Sequence, residues 1–379
     1  MKFLHLSDLH LGKRVNEFSM IEDQRYVLGE ILKIADEQKP DGVIIAGDVY
    51  DKTVPTAEAV SLLDDFLVQL EKRGQPVFII SGNHDSSERL SFARSLIGRS
   101  GIHISPVYDG NVVSYTLEDE YGEVTVYLLP FIKPVHVRSA FPDEERDSYS
   151  DALSIAVKHM GIDKSKRNIL VTHQFVTGAE RSESEDVVVG GLDNVDVSVF
   201  EDFDYVALGH IHGPQNMVKN KVRYCGTMLK YSFSECNHKK SVTIVEMGDK
   251  GSVNISEVYL KPLHDMVQIR GSYDELMNKN YYQGTTLTSD YVHVILTDEN
   301  DIPDAINRLR TVYANIMKLT YDNARTKNNA SVGELADAEL KSPIELVGEL
   351  YEQQNGTSMT EEQRQFMETL IERIWGDRN

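Results

Sequence analysis

Phe3-Leu4-His5-Leu6-Ser7-Asp8-Leu9-His10-Leu11-Gly12 starts as an apolar strand and ends by presenting a carboxylate and an imidazole. Residues two apart in extended chain fall on the same face. Asp8 and His10 can therefore reach one point in space. A carboxylate with an imidazole suits a divalent transition ion such as manganese, iron or zinc better than calcium. By itself Asp8 would serve equally as a cap, and His10 as a surface histidine. The way later strands end decides between these readings.

Moving outward, Ser19-x-x-Glu22 has the form of a capping box, and Ile21, Leu28, Ile31, Leu32 and Ala35 predict an amphipathic helix over 20–38. Val43–Ala46 is a buried strand that ends in Gly47-Asp48. Pro55-Thr56 opens a helix with Val60, Leu63, Leu67 and Leu70 on one face, and Gly74 lies past its end. Val77–Ile80 is a third strand, ending in Ser81-Gly82-Asn83-His84-Asp85. This β-α-β-α-β order predicts a parallel sheet with helices on its faces.

Farther on, 112–117 and 123–130 read as a hairpin and 148–159 as a helix. Asn168–Thr172 is a strand ending in His173, and Tyr205–Leu208 is a strand ending in Gly209-His210-Ile211-His212. Between them, 178–195 reads as a polar surface loop. Strand 265–271, helix 273–279, strand 290–297, helix 303–313 and strand 315–321 make a compact α/β unit. An Asn-rich linker leads to a helix opened by Pro343, a turn at Asn355-Gly356, and a last helix capped by Thr360-x-x-Gln363. The expected division is 1–263, 264–322, a linker over 323–341, and a helical hairpin over 342–379. From residue 331 onward there are 11 acidic and 4 basic residues. A hairpin of that size cannot bury its apolar faces alone, so it needs the body of the protein or a partner.

The chain of 379 residues has room for two to three domains. Its net charge of −21 argues against general adhesion to nucleic acid or anionic membranes. Bound cations and a local groove stay open, because the tally omits them. Cys225 and Cys236 are too few for a disulfide framework, which points to a reducing, cytoplasmic setting. Asp8 and His10 interrupt any signal-like apolar start, and no run approaches the ~20 apolar residues of a membrane span.

Five strand ends thus deliver the same chemistry: Asp8 and His10, Asp48, Asn83 and His84, His173, and His210 with His212. Sites in open α/β sheets form outside the carboxyl ends of strands. Asp8, His10, Asp48, Asn83, His173, His210 and His212 are too many ligands for one ion and about right for two. A carboxylate can bridge two metals about 3.5–4 Å apart, and such pairs carry out in-line displacement at phosphorus. The expected reaction is phosphoester hydrolysis. His84 is placed to donate a proton to the leaving alkoxide, with Asp85 orienting its ring, or else to hydrogen-bond a substrate phosphate. Tyr231 and Phe233 fit core packing better than contact with sugar or bases.

Asp8-x-His10, Gly47-Asp48, Gly82-Asn83-His84-Asp85, His173 and Gly209-His210-x-His212 together resemble the motifs of the calcineurin-like metallophosphoesterases. That resemblance implies a two-sheet α/β sandwich. It implies that Asp8, His10, Asp48 and His212 hold one ion and Asp48, Asn83, His173 and His210 the other, with His84 as proton donor. Thr172-His173-Gln174-Phe175-Val176, Val189-Gly190-Gly191, Tyr224-Cys225-Gly226-Thr227-Met228-Leu229-Lys230-Tyr231-Ser232-Phe233-Ser234-Glu235 and Ser342-Pro343-Ile344-Glu345-Leu346 are similar to the SbcD family of DNA-repair nuclease subunits. This narrower resemblance covers essentially the whole chain. It implies a manganese-dependent nuclease that is a homodimer within a heterotetramer with the ATPase SbcC. The implied activities are ATP-dependent 3′→5′ exonuclease on double-stranded DNA and endonuclease on single strands and hairpins. It further implies that 264–322 is a capping domain and that 342–379 binds SbcC. Archaeal relatives have a histidine three residues after the bridging aspartate; here Asp51 stands there, as is common in the bacterial branch. The competing enzyme is a small-ester phosphatase with the same metals, which would need neither cap nor hairpin. A non-catalytic scaffold would be expected to have lost ligands, and none is missing.

Overall fold

The computed structural model describes residues 1–144, 148–185, 194–323, 344, 347–348, 350–352 and 358–376. Strand β1 (Lys2–Leu6) leads through a short ribbon, β2 (Arg14–Val15) and β3 (Phe18–Ser19), into α1 (Ile21–Gln38). Then come β4 (Gly42–Ala46), α2 (Ala57–Glu71), β5 (Val77–Ile80), the short helices α3 (Ser87–Leu90) and α4 (Arg94–Ile97), and β6 (Ile102–Ile104). Hairpin β7 (Val113–Asp119) and β8 (Gly122–Leu128) precedes α5 (Pro134–Ala140), α6 (Tyr149–Lys158) and β9 (Arg167–His173). Next are β10 (Tyr205–Gly209), β11 (Gln215–Val218), β12 (Val222–Tyr224), β13 (Ser241–Met247) and β14 (Val253–Tyr259).

These strands form two six-stranded sheets, ordered β14-β13-β1-β4-β5-β6 and β11-β12-β10-β9-β8-β7. In the first, β1, β4, β5 and β6 are parallel; in the second, β12, β10, β9 and β8 are. The apolar runs are continuous because both faces are covered. Alternation assigns each residue a side. Ile44 and Ala46 pack with Val126, Ile169, Val171 and Ala207 between the sheets. Val43 and Ile45 pack outward with Val27, Ile31, Leu62 and Phe66 of α1 and α2. On the far side, Leu170, Val206 and Leu208 pack with Val137, Leu153 and Ala156 of α5 and α6. The result is a four-layer αββα sandwich. Each fully buried Val, Leu or Ile contributes roughly 1.5–3 kcal/mol, so the layering is strongly specified.

Local details differ from expectation in a few places. Ser19 does not cap α1: it is paired in β3 opposite Arg14, and Met20 is the N-cap without a side-chain bond. Thr56 does cap α2, its Oγ1 accepting from Ala59 N at 3.2 Å. The parallel sheet β15 (Met266–Gly271), β16 (Tyr291–Leu296) and β17 (Ile316–Tyr321) forms the expected α/β unit. The expected helix 273–279 is two pieces, α7 (Tyr273–Met277) and α8 (Lys279–Tyr282). Asn278 turns extended between them and its side chain caps the second. α9 (Ala305–Arg310) is shorter than the expected 303–313, because Asp304 sits in the left-handed region at its start.

The α/β unit is joined to the sandwich through Asp23 of α1. Asp23 Oδ1 accepts from His264 N at 3.1 Å and lies 3.0 Å from His264 Nδ1, while Oδ2 accepts from Tyr291 OH at 2.7 Å. Residues 324–341 of the expected linker lie outside the described residues. So does the turn of the terminal hairpin. Residues 344, 347, 348 and 350–352 are helical, and α10 (Glu361–Gly376) follows the expected box, with Gln363 N donating to Thr360 Oγ1. Val347, Leu350, Met359, Phe366 and Met367 line an apolar groove between the two. Among the described residues no helix is long and apolar enough to cross a membrane.

The two sheets come close at Gly209, at the end of β10. A Cβ there would lie 1.9 Å from Ala46 O and 2.6 Å from His173 Nδ1. Gly209→Ala should therefore push the sheets apart. We expect a destabilisation of about 1–3 kcal/mol or more, read as a lower denaturant midpoint. An unchanged midpoint would contradict this contact.

Candidate metal centre

The carboxyl ends of β1, β4 and β5 meet those of β9 and β10 along one edge of the sandwich. Asp8 N donates to Gly47 O at 3.0 Å and His10 N to Asp48 O at 2.9 Å, so the loops after β1 and β4 run side by side. His210 N donates to Asp8 Oδ1 at 3.0 Å, tying in the second sheet. Four of the converging residues have left-handed backbone: Asp8 (φ 52°), His10 (φ 45°), Asp48 (φ 47°) and His210 (φ 100°). Such conformations cost on the order of 1–3 kcal/mol each in non-glycine residues and persist where the surroundings over-determine them. Gly82 has no side chain because a Cβ would lie 2.1 Å from Asp48 Oδ1.

All seven residues expected from the strand ends come together. Asp48 Oδ2 lies 3.3 Å from His173 Nε2 and 3.7 Å from His10 Nε2. His10 Nε2 is 3.1 Å from His212 Nε2, and Asp8 closes that group. On the other side, Asn83 Oδ1 is 3.0 Å from both His173 Nε2 and His210 Nδ1. Asp8 Oδ1 is 4.0 Å from His173 Nε2, so the two groups share a wall. Asp8, His10, His173 and His212 are buried.

The electrostatics fit a cation site. Burial holds the His10 and His210 imidazoles well below their ordinary range, so they are neutral donors. Burial would also lower His173, but the Asp48 carboxylate, by charge and hydrogen bond, raises it to about 9. The same pairing overcomes burial and pulls Asp48 well below the usual carboxylate range. Burial, with the Asp48 charge, raises Asp8 despite the opposing charge of His173. His10 Nδ1 and His210 Nε2 are buried without a hydrogen-bond partner. Carboxylate oxygens, imidazole nitrogens and an amide oxygen crowded this way fit divalent transition ions.

His84 stands at the edge of this group, partly exposed, with Nε2 3.9 Å from Asp48 Oδ2 and Nδ1 3.2 Å from Asp51 O. Asp85 does not act as expected on the ring. Its carboxylate accepts from the amides of Val49 (3.0 Å), Tyr50 (2.9 Å) and Gly82 (2.9 Å). Burial and the Asp48 charge, partly offset by those amides, raise it to about 6. Asp85 therefore clamps the loops after β4 and β5, and orients His84 through the backbone; His84 N in turn donates to Asp48 Oδ1 at 2.9 Å.

Several supporting residues were not legible as such. Tyr231 packs edge-on to His10 and His212 and donates to Leu9 O at 2.7 Å. Gln24 Nε2 donates to His10 O at 2.8 Å. Asp51 lies 3.8 Å from His10 Nδ1 and pairs with Lys13 at 2.7 Å. Ser184 and Glu185, in the stretch read as a surface loop, reach His212. Glu235 and Lys240 form a buried ion pair behind it. Among these, the aromatic-polar run 231–235 and Asp51, three residues after Asp48, carried a sequence signal.

Comparison with known proteins agrees with this geometry. Residues 1–214 match the calcineurin-like phosphoesterase family, and residues 262–355 match the type 5 capsule protein repressor C-terminal domain family. The SbcD subunit of the SbcCD nuclease from Staphylococcus epidermidis is 32% identical over 326 residues, covering 84% of this chain and 85% of the relative. Two solved structures align with low similarity. TT1561 of Thermus thermophilus is 14% identical with a TM-score of 0.40, covering 68% of this chain and 98% of the other. A dimetal phosphatase from Danio rerio is 12% identical with a TM-score of 0.43, covering 69% and 98%. With its donor set, its two matched domains and the staphylococcal relative, the chain is a metal-dependent phosphoesterase that belongs to the calcineurin-like phosphoesterases, in the SbcD family of nuclease subunits.

Proposed function

We propose that this chain is a manganese-dependent DNA nuclease that hydrolyses phosphodiesters at a two-ion centre. The observation that carries this is the place of Asp48, whose carboxylate lies within 3.7 Å of His10 on one side and 3.3 Å of His173 on the other. Asp8, His10, Asp48 and His212 would hold one ion, and Asp48, Asn83, His173 and His210 the other. Bound there, the ions supply a water nucleophile of lowered pKa and neutralise charge developing at phosphorus. His84 hands a proton to the departing 3′ or 5′ oxygen, and Asp85 keeps the Asn83–His84 turn in place for that transfer. Asp8 is kept in register by His210 N, and His10 by Gln24.

The matched C-terminal domain and the relative's name support a finer reading. Residues 264–322 cap the nuclease unit, 323–341 link, and 342–379 dock on an SbcC-type ATPase. The assembly is a homodimer of this chain within a heterotetramer. Its activities are ATP-dependent 3′→5′ exonuclease on duplex DNA and endonuclease on single strands and hairpins, in repair and recombination in the cytoplasm. Unpaired Cys225 and Cys236 agree with a reducing compartment. A manganese-dependent assay on blunt duplex and hairpin DNA, with and without the ATPase and with a phosphate monoester as control, tests the whole reading. Turnover of the monoester alone would favour a phosphatase.

His84→Ala should keep both ions in metal analysis and lose cleavage by about 10²–10⁴-fold. Cleavage at the parental rate would remove His84 as proton donor. Asp48→Ala should abolish loading of both ions, measured by elemental analysis after manganese dialysis; full loading would refute the shared carboxylate. Leu350 and Phe366 are exposed in the terminal groove. Leu350→Asp with Phe366→Asp should leave metal content intact and weaken ATPase co-purification at least tenfold, as loss of an apolar anchor does. Undiminished co-purification would exclude the hairpin as the docking element.

A further inference from the structure

His212 is held from behind by a chain of polar groups that runs from half-buried Ser184 to buried Glu235 and Lys240. Ser184 Oγ lies 2.6 Å from His212 Nδ1 and also bonds Glu235 Oε1. Glu235 is fully buried and its other oxygen pairs with Lys240 Nζ. Lys240 Nζ donates onward to His212 O at 2.9 Å and Thr227 Oγ1 at 2.7 Å. Glu185 Oε1 accepts the His212 amide, and Glu185 Oε2 accepts from Ser182 N at 2.6 Å. The stretch 182–185 is thus fastened to the metal centre at both the ring and the backbone of one residue.

The donors and acceptors leave one arrangement. Glu235, paired with an ammonium, is a carboxylate with no proton to give. The single hydroxyl proton of Ser184 therefore goes to Glu235, and Ser184 Oγ accepts from Nδ1–H of His212. Nε2 is left with its lone pair, facing His10 Nε2 at 3.1 Å. Glu235 cannot take over directly, since its Oε1 is 3.6 Å from Nδ1, beyond hydrogen-bond length. We infer that Ser184, backed by Glu235 and Lys240, is a positioning residue that fixes His212 as the Nδ1–H tautomer with Nε2 turned to the metal. This rests on His212 being a ligand, as proposed above.

Loss of a group that orients a ligating histidine typically weakens metal binding 10–100-fold. Ser184→Ala in the full chain should therefore weaken one of two manganese-binding steps by that factor, measured by calorimetry with Mn²⁺ alone and by its electron paramagnetic resonance spectrum. The denaturation midpoint of the metal-free Ser184→Ala protein should fall modestly, because buried Glu235 loses one donor, and Ser184→Thr should recover it. Ser184→Thr, which keeps the hydroxyl, should restore affinity. His212→Ala should abolish the same step. Two unperturbed steps in Ser184→Ala, with one lost in His212→Ala, would overturn the inference and leave the two-ion centre standing. Two unperturbed steps in His212→Ala would overturn both. Weak binding and a lowered metal-free midpoint in both Ser184 variants would make Ser184 a packing residue and also overturn it.

Discussion

One carboxylate, that of Asp48, lies where the edges of two sheets converge, and the rest of the architecture makes its burial tolerable. A buried, unpaired carboxylate would cost several kcal/mol. Here Oδ1 accepts the His84 amide and Oδ2 faces His173 and His10. Those partners come from two loops and the last residue of β9, and so from both sheets. The interface between the sheets is therefore set by apolar packing along its length and by charge at its end. The glycines at 82 and 209 let backbone from neighbouring strands close to distances that any side chain would prevent.

The same edge explains why so many unusual backbone angles gather in one place. Asp8, His10, Asp48 and His210 turn left-handed within four residues of a strand's end, in the loops whose side chains meet in the pocket. The backbone bonds between the loops after β1 and β4 hold these turns. Asp85 performs the equivalent task for the third loop, its two oxygens serving three amides. Buried hydrogen bonds thus make the edge rigid before any ligand arrives.

Much of this was legible in sequence, for a definite reason. A strand covered on both faces must be continuously apolar, so an acid or histidine at its end stands out, as Asp8, Asp48, His173 and His210 do. The order β1, α1, β4, α2, β5 followed from periodicity, whereas the two-residue strands β2 and β3, the one-turn helices α3 and α4 and the three-residue β6 are too short to carry a period. What escaped was long-range or competed for locally. Ser19 looked like a cap, but strand pairing with Arg14 took it. Asn278 broke a helix because its side chain bonds its own downstream amide. Asp85 adjoins His84 in sequence yet serves backbone amides. Ser184 and Glu185 sit in a run whose composition reads as solvated, and their attachment to His212 spans 28 and 27 residues, beyond any local signal.

Asp23 holds the sandwich and the three-stranded unit together. Its side chain is 1% exposed and its two oxygens bond His264 and Tyr291, so prying the units apart would strand acceptors in an apolar seam. An unmet buried acceptor costs about 1–3 kcal/mol, more when charged. The seam consequently resists flexing in proportion to how dry it stays. Water reaching Asp23 would compete for both of those bonds at once.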